Sequence, residues 1–245
     1  MGAPRFYCPA PIGAANAGAT IELNEAAAHH ATRVLRLAAG DALTLFDGTG
    51  GEFDATLVRI DKRGATVRVL RFVPVERESP LAVTLALGIA ANDAMDSALR
   101  RATELGVTSI QPLVTARSSP LPAGERADKR LAHWRQVAIA ACEQCGRNRI
   151  PTVAPPRPFA DWLREWTDSG VILVPAVRRS LAAIAQPGSK FALLVGPEGG
   201  FEPREIAAAQ ANGFAPLALG PRVLRTETAA AAGLAIVQAH WGDLR

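Results

Sequence analysis

Two segments near the C-terminal end hold residue types that could grip a ligand. Phe191-Ala192-Leu193-Leu194-Val195 reads as a buried strand, and Gly196-Pro197-Glu198-Gly199-Gly200-Phe201 follows it directly. Leu217-Ala218-Leu219 leads in the same way into Gly220-Pro221-Arg222-Val223-Leu224-Arg225-Thr226-Glu227-Thr228. Glycines just past a strand let a ligand approach the backbone or let φ turn positive. The same pattern also describes two tight strand-to-helix turns, with Pro203 in a first helical turn and Gly213 at its stop.

Other chemistries are disfavoured. No GxGxxG leads from a strand into a helix, and no GxxxxGK(S/T) occurs. Asp47-Gly48-Thr49-Gly50-Gly51 lies between two alternating stretches, as a hairpin turn would. A kinase, a P-loop enzyme or an ordinary nicotinamide dehydrogenase does not fit. Cys142 and Cys145 form a CxxC, which suggests redox work or half a zinc site. Yet Leu131, Trp134, Ala138, Ala141, Cys142 and Cys145 recur at the three- and four-residue spacing of one helix face. With no second CxxC and no HxxxH, the pair reads as core packing, and no metal is expected.

The elements that must position the two loops divide at a seam. The first 73 residues alternate like strands through Leu43–Phe46, Phe53–Leu57 and Ala65–Val69, with turns at Asp47-Gly48 and Arg63-Gly64. One helix interrupts them, capped by Asn24 and running from Glu25 to Leu37 with Gly40 just beyond. A small barrel follows from several short strands and one helix. Val73-Pro74-Val75-Glu76-Arg77-Glu78-Ser79-Pro80 is a polar, proline-bracketed seam, which puts one domain at 1–74 and another at 75–245. In the second, strands are predicted at 82–90, 108–114, 171–175, 191–195 and 215–219. Helices are predicted at 93–105, 125–146, 179–185, 203–212 and 226–240. That alternation implies an α/β fold with a parallel sheet and ligands at the C-terminal strand ends.

Bulk composition agrees. The chain has 245 residues, 49% hydrophobic and 20% charged, enough for a sizeable core and against disorder. Neither Leu81–Ala91 nor Ala229–Ala239 is long enough to cross a bilayer, and Met1-Gly2-Ala3-Pro4-Arg5 opens no export signal. A soluble cytoplasmic protein is expected. The formal charge is +4, and residues 79–150 hold 9 basic against 6 acidic side chains. Lys appears only at 62, 129 and 190, leaving Arg as the main base. Arg suits phosphate and base recognition, though Arg richness equally reflects genome composition.

GPEGGF at 196–201 and LGPRVLRTETAA at 219–230 resemble the signature of the SPOUT methyltransferases. Within them the chain resembles the RsmE family, the small-subunit ribosomal RNA uridine N3-methyltransferases. Pro4-Arg5-Phe6-Tyr7, His30 through VLRL at 34–37, FDGTG at 46–50 and RESPL at 77–81 agree with it. So do ATELGV at 102–107 and ACEQCGRNRIP at 141–151, and the likeness spans nearly the whole chain.

The resemblance implies a PUA-like β-barrel that grips RNA, followed by a SPOUT-type parallel sheet with a C-terminal trefoil knot. It implies a homodimer, S-adenosylmethionine as cofactor, and 16S ribosomal RNA in the small ribosomal subunit as partner. The cofactor set it implies is Leu194, Gly196, Pro197, Glu198, Gly199, Gly200, Leu219, Gly220, Arg222, Val223, Leu224 and Thr228. On this reading Gly220→Val blocks the cofactor loop sterically. Arg225 would stabilise charge spreading onto the uracil oxygens, and Glu227 would take the N3 proton or hold Arg222 or Arg225. Glu198 would bind cofactor or only orient its loop.

RNA contact would fall to Arg5, His30, Arg33, Arg36, Arg117, Arg147 and Arg149, with His29 beside them. His30 and Arg33 stand one turn apart on a helix face. Glu143, Arg147 and Arg149 either line the substrate side or are solvated helix-end charges. Two departures from the family pattern stand out. Ala94 replaces a Lys before Met95, and Ala116 replaces a Glu before Arg117. Competing readings are a SPOUT enzyme for transfer RNA or a ribose 2′-OH, and an RNA-binding assembly factor with an inactive knot.

Overall fold

Alternation in Phe53-Asp54-Ala55-Thr56-Leu57 sets three apolar side chains on one strand face, and all three are buried. The computed structural model describes residues 2–13, 16–61, 64–120, 124–175, 177, 181, 184–188 and 190–244. The chain folds as two compact units. One is Met1–Glu78 with Cys142–Ile150, and the other is Ser79–Ala141 with Pro151–Arg245. The first unit thus takes in a stretch that the sequence reading leaves in the second domain.

The first unit holds β1 (Arg5–Tyr7), β2 (Thr20–Glu22), α1 (Glu25–His29), β3 (Ala42–Phe46), β4 (Glu52–Asp61) and β5 (Gly64–Val73). They make a five-stranded sheet in the order β1-β3-β4-β5-β2, with β1 parallel to β3 and the other pairs antiparallel. Phe6, Leu43, Leu45, Phe53, Leu57, Val67 and Val69 fill its core with Ala27, Ala28 and Ala31. Asp47 makes the expected turn, accepting from the Thr49 amide at 3.0 Å and its hydroxyl at 2.7 Å, while Gly48 takes φ 85°. Arg63 of the other predicted turn lies outside the described residues.

The helix expected from Glu25 to Leu37 is shorter. Asn24 caps it as predicted, its Oδ1 accepting from the Ala27 amide at 2.9 Å, but α1 ends at His29. Residues His30–Val34 wind more widely, so that the Leu35 amide reaches back to the His30 carbonyl at 3.0 Å. Thr32 Oγ1 donates to the Ala28 carbonyl at 2.8 Å, a back-bond that bends helices. Arg36 then turns left-handed at φ 54° and closes the segment.

The second unit holds β6 (Ala82–Gly88), α2 (Asn92–Glu104), β7 (Ser109–Val114), β8 (Thr152–Val153), β9 (Arg157–Pro158) and α4 (Phe159–Glu165). It continues with β10 (Gly170–Leu173), β11 (Lys190–Val195), α5 (Pro203–Ala211), β12 (Phe214–Leu217) and α6 (Thr226–Trp241). The helix α3 (Glu125–Cys145) precedes β8. The strands follow the order β12-β10-β11-β6-β7-β8, β9 also pairs with β7, and every pair is parallel. Val83, Leu85, Ala86 and Leu87 in β6, and Phe191–Leu194 in β11, are fully buried. Such continuous apolar runs mark strands covered on both faces.

Five predicted strands appear within about two residues of their expected bounds, whereas α4, β8 and β9 were not anticipated. The helix predicted at 179–185 falls mostly outside the described residues. On α3, Trp134, Ala138, Ala141 and Cys142 are buried, as the stripe predicts, and burial pushes the Cys142 thiol up to about 12. No described helix is long and apolar enough to cross a membrane. Because all strands run parallel, the loops after β6, β7, β10, β11 and β12 share one edge of the sheet.

Candidate active site

At that edge lies a cavity of about 210 Å³. Its floor is the end of β10 (Leu173, Val174, Pro175), Val195 of β11 and Leu217 of β12. Its walls are Gly196–Gly200 on one side and Leu219, Arg222, Val223 and Leu224 on the other, closed by Thr226 and Ala229 of α6. The Val174 amide donates to the Leu217 carbonyl at 2.9 Å, and Thr226 Oγ1 donates to the Gly196 carbonyl at 3.3 Å. The start of α6 is thereby tied to the loop that follows β11.

Steric demands explain the first loop's glycines. A Cβ on Gly88, at the end of β6, would stand 2.4 Å from Pro197 Cδ and 2.7 Å from its nitrogen. Only a glycine lets Pro197 pack there. A Cβ on Gly196 would meet the Gly200 backbone at 3.0 Å, and Gly200 itself sits at φ 66° with its amide on the Pro197 carbonyl at 2.8 Å. The tight-turn reading therefore holds, and the turn also forms one wall of the cavity. Glu198 Oε1 accepts from the Ala91 amide at 2.8 Å, which anchors the loop to the start of α2.

A third loop joins in. Arg117, after β7, donates from Nη1 to the Gly199 carbonyl at 2.8 Å, and its side chain lies 3.1 Å from where a Gly199 Cβ would be. This makes Arg117 a brace for the GPEGGF loop. Glu205 is 8% exposed, and its carboxylate accepts from the Ala116 amide at 2.9 Å and the Glu202 amide at 2.8 Å. The capping box of Glu202 and Glu205 starts α5, with Pro203 in the first turn.

Nine of the twelve residues expected around the cofactor line this cavity: Gly196, Pro197, Glu198, Gly199, Gly200, Leu219, Arg222, Val223 and Leu224. Three do not. Leu194 is fully buried in the core between the sheet and its helices, since neighbouring positions of a two-side-covered strand all point into protein. Thr228 is exposed on α6, and Gly220 serves the turn at φ 80° with nothing within 4 Å of an added Cβ. A side chain at Gly220 would strain the backbone rather than clash. Leu173, Val174, Pro175, Val195, Leu217, Thr226 and Ala229 were missed. Arg225 is exposed at the N-cap of α6 and Glu227 is half-buried in its first turn, both beside the cavity wall in sequence but outside its lining.

The basic residues of the first unit have different fates. Arg147 is 4% exposed and clasps the Glu78 carboxylate through Nε at 3.0 Å and Nη2 at 2.5 Å. Arg5 binds Glu52 and donates to Asn148 Oδ1 at 2.6 Å, and Arg77 reaches the same Glu52 at 3.0 Å. Burial pushes the Glu52 carboxyl up, but hydrogen bonds from Arg77 and Arg5 outweigh it and leave the group low. Glu143 accepts from the Tyr7 amide at 2.9 Å, and burial leaves it raised. Arg5 and Glu143 thus fasten residues 142–150 to β1, and Arg147 fastens them to Glu78, so all three side chains make contacts inside the unit. His30 packs edge-on against Phe6 at 5.9 Å. His29, Arg33, Arg36 and Arg149 are exposed, the last 3.4 Å from Glu76. Among the described residues no cluster of His, Cys, Asp and Glu is arranged to hold a metal ion.

Comparison with known proteins agrees with this geometry. An RNA methyltransferase domain model matches residues 77–238, and an RNA methyltransferase PUA domain model matches residues 23–70. Ribosomal RNA small subunit methyltransferase E of Buchnera aphidicola is 31% identical over 226 residues, 91% of this chain and 92% of the relative. The Synechocystis protein of that name is 35% identical over 228 residues, covering 90% and 73%. A Neisseria gonorrhoeae ribosomal RNA small subunit methyltransferase E, solved bound to S-adenosylmethionine, superposes with a TM-score of 0.91 at 37% identity and full coverage of both chains. A Legionella pneumophila protein described as a methyltransferase, solved with the same cofactor, gives 0.94 at 40% identity, again over both whole chains. The chain belongs to the ribosomal RNA small subunit methyltransferase E family.

Proposed function

We propose that this protein transfers a methyl group from S-adenosylmethionine to N3 of one uridine near the 3′ end of 16S ribosomal RNA, within the small ribosomal subunit. The observation that carries the reading is the cavity built by the loops after β10, β11 and β12, in a chain whose structural relatives were solved with that cofactor. The lining fits the group. Leu173, Val174, Leu217, Leu219 and Leu224 offer apolar walls for an adenine, and the loop carbonyls and amides offer main-chain partners.

When bound, the cofactor supplies a methyl group on a positively charged sulfur. The chain must hold the uracil with N3 in line with that methyl, remove the N3 proton, and stabilise the negative charge left on O2 and O4. Arg225 is assigned to those oxygens, because it is exposed beside the cavity and, among the described residues, no hydrogen bond or ion pair holds its side chain. Glu227, in the first turn of α6, is assigned to the proton or to holding Arg222 or Arg225.

The wider reading is a PUA-like barrel that grips RNA through Arg33, Arg36, Arg149 and His30, a homodimer, and a cytoplasmic enzyme. A trefoil knot is part of it. In its support, β12 lies at the outer edge of the sheet, while α6 packs inward against β11 and α2. The test is methyl transfer to small ribosomal subunits lacking the modification, followed by mass spectrometry of the digested nucleosides. Cofactor-dependent 3-methyluridine is expected. A methylated base or ribose of another kind would overturn the assignment to N3, and labelled transfer RNA alone would overturn the substrate.

A further inference from the structure

Glu205 is a charged group that neither the cavity lining nor the methyl-transfer chemistry uses, yet it is 8% exposed. Burying a carboxylate is unfavourable unless its oxygens find donors. Here each oxygen has a different one. Oε1 accepts from the Ala116 amide at 2.9 Å, and Oε2 accepts from the Glu202 amide at 2.8 Å. Those amides belong to separate loops, one after β7 and one after β11. The Ala116 loop carries Arg117, whose Nη1 donates to the Gly199 carbonyl at 2.8 Å. Gly199 lies between two cavity-lining residues, Glu198 and Gly200. The three contacts close a ring: the carboxylate to the Ala116 loop, Arg117 to Gly199, and the chain from Gly199 back to Glu202 and Glu205.

A capping role alone would need only the Glu202 amide. The second oxygen reaches residues 89 positions away in sequence, a distance over which no helix-start preference operates. We propose that Glu205 is a positioning residue: it fixes the Arg117 loop against the GPEGGF loop and so sets the shape of the cofactor wall. The inference rests on the cofactor reading given above. The carboxylate form is required. A glutamine of the same shape offers one acceptor oxygen and one NH2, and the NH2 would face an amide donor.

The test uses the full chain, with hydrogen exchange of the cofactor-free protein and calorimetric titration of S-adenosylmethionine. In Glu205→Gln the Ala116, Glu202 and Gly200 amides should exchange faster, and cofactor affinity should fall roughly ten- to a hundredfold, the range for a lost hydrogen bond to a charged group. Arg117→Ala, a change at an exposed side chain, should speed exchange at Gly200 and weaken binding without lowering the melting temperature. Combined, the two should be no worse than Glu205→Gln alone, because both open the same ring. Glu202→Ala removes the other half of the capping box and serves as the control, losing stability but not affinity.

The inference is overturned if Glu205→Gln behaves like Glu202→Ala, with lower stability but unaltered Gly200 exchange and affinity. It is also overturned if the losses in the double variant simply add. If the wild-type chain binds no S-adenosylmethionine, the cofactor reading fails, and exchange at Gly200 still decides the role of Glu205.

Discussion

One pair of arginines in each unit does opposite work. In the first, Arg147 and Arg5 turn inward: the Glu78 carboxylate holds Arg147, and the Glu52 carboxylate and Asn148 hold Arg5. In the second, Arg222 and Arg225 stay exposed on the loop that walls the cavity. A buried guanidinium without a partner would be strongly destabilising, so inward arginines must be paired. An exposed arginine that no side chain holds keeps its five donors available to a ligand. Abundance of Arg therefore says little, and the nearest carboxylate decides the role.

Substitutions can break that contrast. Arg225→Ala should lower turnover about 10²- to 10³-fold, as for loss of a donor to developing negative charge, with the melting temperature and cofactor affinity unchanged. Loss of cofactor affinity instead would make Arg225 a binding residue. Arg147→Ala should do the reverse. It leaves the Glu78 carboxylate without its partner and should cost about 3 kcal/mol in denaturant unfolding, the low end for such pairs because Glu78 keeps some solvent. Cofactor affinity should not move.

Gly88→Ala tests the packing under the loop. With Pro197 2.4 Å from the new Cβ, overpacking should cost about 1–3 kcal/mol and weaken cofactor binding together. A variant as stable and as tight as wild type would mean that Pro197 can move freely.

Acid should separate the units more gently. Glu52 is held below its ordinary value of 4.5 by Arg77 and Arg5, so the folded state binds fewer protons than the unfolded one near that value. Its contribution is present above pH 4.5 and is lost as pH falls toward the folded value. Glu143 is raised and acts in the opposite sense, its contribution present below 4.5 and lost as pH rises through its folded value. Glu52→Gln should flatten the acid limb of first-unit unfolding monitored by near-ultraviolet spectra. The smallest effect belongs to the exposed arginines. Arg33→Ala and Arg36→Ala should each reduce the slope of log affinity for RNA against log salt by about 1, with little change in stability.

Much of the second unit was legible because its signals are local. Buried parallel strands such as Phe191–Val195 are unbroken apolar runs, and glycines mark the loops that follow them. The same uniformity hides which strand residues face the cavity: Leu194, in the set the resemblance implies, lies in the core, whereas Val195 and Leu217 line the cavity. The short β8 and β9 carry no period at all, and β9 includes a proline. The helix beginning at Glu25 has a clear start, but Gly40 is a misleading stop, since the helix ends at His29 and Arg36 takes the left-handed turn that closes the segment. Roles that depend on distant partners left no trace. Glu205 carries no sequence signal beyond its place at a helix start, and Arg147 reads equally as an RNA contact or a helix-end charge; only Ala116 and Glu78 beside them show what each holds.

The most direct test is titration of S-adenosylmethionine into the full chain, followed through methyl resonances of leucine and valine. Saturable binding should shift Leu217, Leu219, Val223 and Leu224 while leaving Leu43, Leu57 and Val67 of the first unit in place. Absence of binding, or shifts confined to the first unit, would contradict the assignment of the cavity.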